Sequence, residues 1–266
     1  MKFITTEKDY EYHLYDNKEL VGKGYIFESK ANKFYDKERI NYFIEFDLLN
    51  KDEEAYAVEI LNNLVEIAKD KRKKYKEFDA RVYHCCFSEN KQVIKLCESI
   101  DGFKADEGMH ILSFDTNQVQ DIFIDSQYLV TENELRTDSQ RKELINQHSK
   151  SFKLGAYKTT DFDDLHRENA FKCISIRKDK ELVANLLVFI KEDGIGFMED
   201  LFVDSSVRGK GIGKYLVNYA NEYLIKNGVN KIELEVWSSN YKAYNLYKKM
   251  GYLFKRESEV SIGKSI

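Results

Sequence analysis

Proline is absent from all 266 residues, cysteine occurs only four times, and neither sign of charge dominates. The missing proline by itself excludes nothing. Cys85, Cys86, Cys97 and Cys173 show no paired metal-ligand spacing, and on a strand the adjacent Cys85 and Cys86 point to opposite faces. That pattern fits reduced thiols in a cytoplasmic protein and speaks against a metal site. The five histidines are scattered and form no metal-binding pair. A formal net charge of −4 and a pI near 5.9 exclude a global attraction to nucleic acid or to an anionic membrane, so any polyanion binding must be local. Long apolar runs are missing too. The longest, LVANLLVFI, is too short to span a bilayer, and the N-terminal MKFITTEKDYEYHLYD has no apolar signal region. What the chain does have is 42% hydrophobic and 14% aromatic residues, enough to build the cores of two domains.

Three segments recur in the same order in the two halves. DNKELVGKGYIF, Asp16 to Phe27, resembles KDKELVANLLVF, Lys178 to Phe189, and both read as a turn followed by a strand. IEFDLL, from Ile44, parallels MEDLFV, from Met198, and each precedes a helical pattern. SENKQVIKLCESIDGF, from Ser88, parallels SSNYKAYNLYKKMGY, from Ser238, so that Asn90 matches Asn240 and Gly102-Phe103 matches Gly251-Tyr252. Collinearity implies two lobes of common architecture, residues 1–118 and 119–266. In the second lobe TENE, Thr131 to Glu134, has the form of a capping box opening a helix through the 140s. Three antiparallel strands then follow, with turns at Lys178 to Lys180 and Glu192 to Gly194. A helix from Gly211 to the stop at Asn227-Gly228, the strand KIELEVW, a short helix and a last strand complete it. The expected fold class is α/β in the α+β sense: two lobes, each a mixed, mostly antiparallel sheet flanked by helices.

Between strand and helix lies VRGKGIGKYL, three glycines among basic residues. Glycines let a backbone approach a ligand, and main-chain N–H groups at a helix start favour an anion. A Walker A loop is ruled out by spacing, since Gly209 lies three residues from Gly213-Lys214 and Tyr215 stands where a hydroxyl would meet magnesium. The dinucleotide fingerprint fails as well, because the glycines alternate at Gly209, Gly211 and Gly213 after an antiparallel meander. What remains, VDSSVRGKGIGKYLV followed by LEVWSSNYKAYNLYKKMGY, resembles the pyrophosphate loop and the second signature of the GNAT superfamily of acyl-CoA-dependent N-acyltransferases. The resemblance covers the second lobe; in the first it is architectural only.

It implies an N-acetyltransferase that moves an acetyl group from acetyl-CoA to a primary amine of a small-molecule or peptide acceptor, in a monomer or homodimer. Arg208, Gly209, Lys210, Gly211, Ile212, Gly213 and Lys214 would cradle the pyrophosphate. Leu201, Phe202 and Val203 would offer backbone to the pantetheine arm, Asn240 a hydrogen bond and Ala243 room. Tyr247 is the implied acid, since a phenol of pKa ~10 stays protonated at neutral pH. Glu199 and Glu235 rank equally as base, Glu235 because LEVWSSN with Tyr247 beyond it resembles the ribosomal-protein alanine N-acetyltransferases. In the first lobe an ungapped alignment sets Glu54, Ala55, Ala57 and Glu59 at the positions of Arg208, Gly209, Gly211 and Gly213. Two carboxylates oppose a pyrophosphate, so that lobe is expected to be degenerate. Cys97, at the position of Tyr247, reads as a small buried hydrophobe. Alternatives left open are an acyl-CoA-binding regulatory protein without turnover and an aminoacyl-tRNA-dependent transferase, the latter disfavoured by the intact loop.

Overall fold

The computed structural model describes residues 1–31, 38–49, 54–116, 121–152 and 158–266. The lobe boundary expected between residues 118 and 119 therefore lies outside the described residues. Contacts divide the chain into two units, one of Met1–His110, Trp237–Tyr241 and Glu257–Ile266, the other of Ile111–Val236 and Lys242–Arg256. The final residues of the chain, Glu257–Ile266, thus belong to the first unit.

The first unit runs β1 (Lys2–Thr5), β2 (Glu11–Asp16), β3 (Glu19–Ala31), β4 (Arg39–Leu48), α1 (Glu54–Arg72), β5 (Asp79–Phe87) and α2 (Lys91–Glu98), then enters β6 (Lys104–Asp115). Asn17 and Lys18 both take positive φ and close the β2–β3 hairpin in the sense that suits strand twist. The β3–β4 pair is antiparallel, whereas β4 and β5 are parallel and joined through α1. That helix buries Ala57, Ile60, Leu61, Leu64 and Ala68 along one face, against Ile40, Tyr42 and Ile44 of β4 and Val82 of β5.

The second unit contains β7 (Tyr128–Asn133), α3 (Asp138–Phe152), α4 (Asp161–Leu165), β8 (Asn169–Lys178), β9 (Glu181–Ile190), β10 (Gly196–Val203), α5 (Ile212–Lys226), β11 (Lys231–Trp237) and α6 (Tyr241–Lys249), with β12 (Leu253–Ser265) closing the chain. Asp179 and Lys180, like Asn17 and Lys18, are left-handed and turn β8 into β9. Strands β7 to β10 pair antiparallel in sequence order, and β10 pairs parallel with β11 across α5. Two cores result. On one face Ile212, Leu216, Val217, Ala220 and Leu224 of α5 pack on Ile174, Leu186, Val188, Met198 and Leu234. On the other, Leu144 and Phe162 cover Phe171, Cys173, Leu187, Phe189 and Phe197. The mixed, mostly antiparallel sheet flanked by helices is the fold class expected.

Two local readings are corrected. Thr131 to Asn133 lie in β7, paired with Ser175, Ile174 and Cys173, so TENE opens no helix. The capping box falls at Thr137 and Gln140 instead: Gln140 N–H donates to Thr137 Oγ1 at 3.3 Å and Thr137 N–H to Gln140 Oε1 at 3.2 Å. The run Tyr-Leu-Val-Thr, with an aromatic and two β-branched residues, prefers the ladder to a helix. The second correction concerns the ungapped alignment of the lobes. Helix α1 begins at Glu54, so Glu54, Ala55, Ala57 and Glu59 occupy its first turns, and Ala57 is fully buried. Arg208 to Gly211, by contrast, precede α5. Residues 50–53, which lead into α1, lie outside the described residues.

Candidate acyl-transfer site

Strand β10 is interrupted where chemistry is expected. Its parallel ladder with β11 runs from Gly196–Ile232 to Met198–Leu234 and ends there, so Glu199 to Val203 part from β11. On the other edge the ladder with β9 shifts register between Glu199 and Phe202, a bulge with Asp200 in left-handed conformation at φ 55°. A non-glycine residue there costs about 1–2 kcal/mol. The side-chain Nδ2 of Asn185 in β9 donates to the Asp200 carbonyl at 3.2 Å and holds the bulge. The parting gives β10 backbone groups without a strand on that side, which is what an extended ligand can pair with.

The chain then turns through a 3-10 segment, Ser205–Val207, capped by Asp204, whose carboxylate accepts from the backbone N–H of Ser206 at 2.9 Å and from its hydroxyl at 2.6 Å. Arg208 Nε donates to the Val203 carbonyl at 2.8 Å, anchoring the loop to the end of β10. Gly209 and Gly211 stand at φ 80° and 81° with open space where a side chain would begin. Their requirement for glycine is conformational. The first helical bond of α5 runs from Tyr215 N–H to Gly211 O at 3.0 Å. The N–H groups of Ile212, Gly213 and Lys214 consequently have no carbonyl within the helix, and the exposed Arg208, Lys210 and Lys214 surround them with positive charge. This is an anion cradle of the kind a pyrophosphate fits.

Tyr247 of α6 is buried, its ring 5.8 Å from that of Tyr252. Burial pushes its phenol well above the usual tyrosine range, and the charge of Asp200 raises it further. Tyr252 is itself fixed, donating to Asn221 Oδ1 at 2.7 Å. Glu199 is held above the ordinary carboxylate range by burial; Lys191 opposes the shift, while Glu235 and Glu168 add to it. Glu235 lies on β11 and is exposed.

Residues 137–252 match the family model described as Acetyltransferase (GNAT) family. An N-acetyltransferase of Methanocaldococcus jannaschii is 37% identical over 79 residues, 30% of this chain and 34% of that protein. The L-2,4-diaminobutyric acid acetyltransferase of Marinococcus halophilus is 33% identical over 95 residues, 35% of this chain and 54% of its own length. Among solved structures, a GCN5-related N-acetyltransferase from Sphaerobacter thermophilus superposes with a TM-score of 0.54 at 14% identity, over 96% of this chain and 80% of that one. The match to that family model is confined to residues 137–252, and the solved structure shows a likeness of fold. The chain spans only about a third of the length of the first curated relatives it matches, 34% and 30%.

Within residues 137–252 the structure brings together Glu199, the backbone of Leu201 to Val203 and the loop from Arg208 to Lys214, all on the continuous run from β10 into α5. Val203 and Leu246 both approach Gly213, which ties that run to the helix carrying Tyr247 and Ala243. Asn240 immediately precedes α6, and its residue falls in the first unit by contacts. Trp237 donates through Nε1 to Glu107 Oε2 at 3.2 Å, within that same first unit. Two residues escaped the sequence reading. Asn185 and His148 carry no motif, and only the bulge, invisible in an alternating strand pattern, shows what they serve. Among the described residues no group of three His, Cys, Asp or Glu side chains is placed to hold a metal ion, and no helix is long and apolar enough to cross a membrane.

The first unit has a parting of its own. Its β4–β5 ladder ends at Phe43–Tyr83, and the next residue of β5, His84, sets Nδ1 at 2.9 Å from the Ile44 carbonyl. Burial depresses the pKa of that imidazole, and its ring stacks at 6.4 Å on Phe43. A side chain thus meets a carbonyl at the point where the strands separate. Cys97 is fully buried, with a thiol pushed up to about 12 by burial, as a small hydrophobe should be.

Proposed function

We propose that the second unit is an acetyl-CoA-dependent N-acyltransferase acting on a primary amine, and that the first unit is a degenerate copy which binds no acyl-CoA. The observation that carries the reading is the parting of β10 from β11 after Met198, followed at once by the glycine loop and the open start of α5. Arg208 to Lys214 hold the pyrophosphate, the backbone of Leu201 to Val203 takes the pantetheine arm, and Ala243 leaves it room. Acetyl-CoA supplies the acyl group as a thioester.

The chain's own residues supply the proton handling. Tyr247, kept protonated by its buried setting, donates to the departing sulfur. Glu199 takes the proton of the amine; its burial and raised pKa suit a base working near neutrality better than the exposed Glu235 does. Glu235 acts on Glu199 through its like charge. In the first unit the His84 side chain fills the β4–β5 parting through its bond to the Ile44 carbonyl, which supports the degenerate reading.

Release of free thiol from acetyl-CoA against a panel of primary amines tests the activity. A base must be deprotonated to act, so the rate falls as pH drops through the Glu199 pKa, and that limb lies above the ordinary carboxylate value of ~4.3. Glu199→Gln is expected to lower kcat/KM by about a hundred- to a thousandfold and to erase the limb. Glu235→Gln, by removing a like charge, shifts the limb to lower pH with little loss of rate. Acetyl-CoA binding with no thiol release for any amine contradicts the transferase reading.

A further inference from the structure

A buried polar patch lies beneath α3 where an apolar core would be expected. Ser175 and Asn185 face each other across β8 and β9, on the side where Cys173 and Leu187 pack against Leu144 of α3. Asn185 is 1% exposed. Its Nδ2 is committed to the Asp200 carbonyl, and its Oδ1 is buried without a hydrogen-bond partner among the described residues. Asp200 repeats the pattern: Oδ1 lies 3.5 Å from Nε2 of His148 on α3, while Oδ2 is buried and without a hydrogen-bond partner among the described residues. Two unsatisfied acceptors on residues bonded to each other are unfavourable until a donor arrives.

We propose that Asp200 and Asn185, with His148 holding the carboxylate in place, form the subsite that binds the primary ammonium of the acceptor; this rests on the transferase reading above. The chemistry matches. An ammonium group carries three N–H donors and one positive charge, and the patch offers two buried oxygens, one of them anionic. The bulge turns Asp200 out of the regular ladder immediately before Leu201 to Val203, and its charge is felt at Tyr247. A cation held there is beside the residues that handle the acyl group.

The test uses the full chain and two cations at equal ionic strength, n-butylammonium with its three N–H donors and tetramethylammonium with none. Imidazole resonances are followed by proton–nitrogen NMR, the His148 signal being identified by its loss in His148→Gln. The expected result is a saturable shift of the His148 signal with n-butylammonium only, abolished in Asp200→Asn and weakened about tenfold in Asn185→Leu. Thermal melts and acetyl-CoA calorimetry run on each variant separate folding and cofactor defects from the subsite. Equal shifts with both cations, or no saturable shift in protein that binds acetyl-CoA, overturn the subsite. An n-butylammonium response in protein that fails to bind acetyl-CoA overturns the transferase reading, and with it the acceptor role, and leaves an ammonium site alone.

Discussion

Tyr247→Phe is expected to lower kcat by about a hundred- to a thousandfold while leaving the acetyl-CoA dissociation constant within about twofold of the parent. The substitution removes one hydroxyl and keeps the ring that packs 5.8 Å from Tyr252. Tyr247 is buried and its phenol is held in the neutral form by burial and by the negative charge of Asp200. A group that stays protonated across the working range donates a proton without adding a pH limb of its own, so the variant's pH profile should keep its shape at reduced height. Steady-state kinetics and calorimetry together check this. An unchanged kcat would make Tyr247 a core residue, and lost binding with a lowered melting temperature would make its role structural.

Gly211→Val carries the second large effect. Gly211 caps α5 at φ 81° with nothing within 4 Å of a built side chain, so valine meets no neighbour and its penalty is conformational. Occupying the left-handed region costs an L-residue about 1–2 kcal/mol, which predicts an acetyl-CoA affinity weaker by about five- to thirtyfold by calorimetry. Gly213→Ala is the matched control. Its added carbon would sit 3.4 Å from Leu246 Cδ2 and 3.6 Å from Val203 Cγ2, ordinary contact distances, so the variant melts no lower than the parent. Unaltered affinity in Gly211→Val would contradict the assignment of the loop.

The sequence was informative where physics is local. Alternation and turn residues located β8 to β11, and the pairs Asn17-Lys18 and Asp179-Lys180 marked both hairpins. The glycine loop was readable because positive φ demands glycine at Gly209 and Gly211. Tertiary effects were not readable. TENE satisfied a capping pattern but was drawn into β7 by pairing with β8, and the true box lay at Thr137. Strict alternation set Glu199 and Asp200 on opposite faces, whereas the bulge gives Asp200 its own direction, toward His148. Nothing in sequence separated Glu199 from Glu235; burial did, since one is half-buried and the other exposed. Nor did the sequence mark the imidazole at the β4–β5 parting, because its partner is a backbone carbonyl on another strand.

The central claim is an asymmetry: one unit that takes acyl-CoA and one that does not. Calorimetric titration of the full chain with acetyl-CoA tests it directly, through stoichiometry as much as affinity. The account predicts one site per chain, lost or weakened by Gly211→Val and untouched by His84→Ala. Two sites per chain would contradict the degenerate reading of the first unit, and no binding would contradict the assignment of the second.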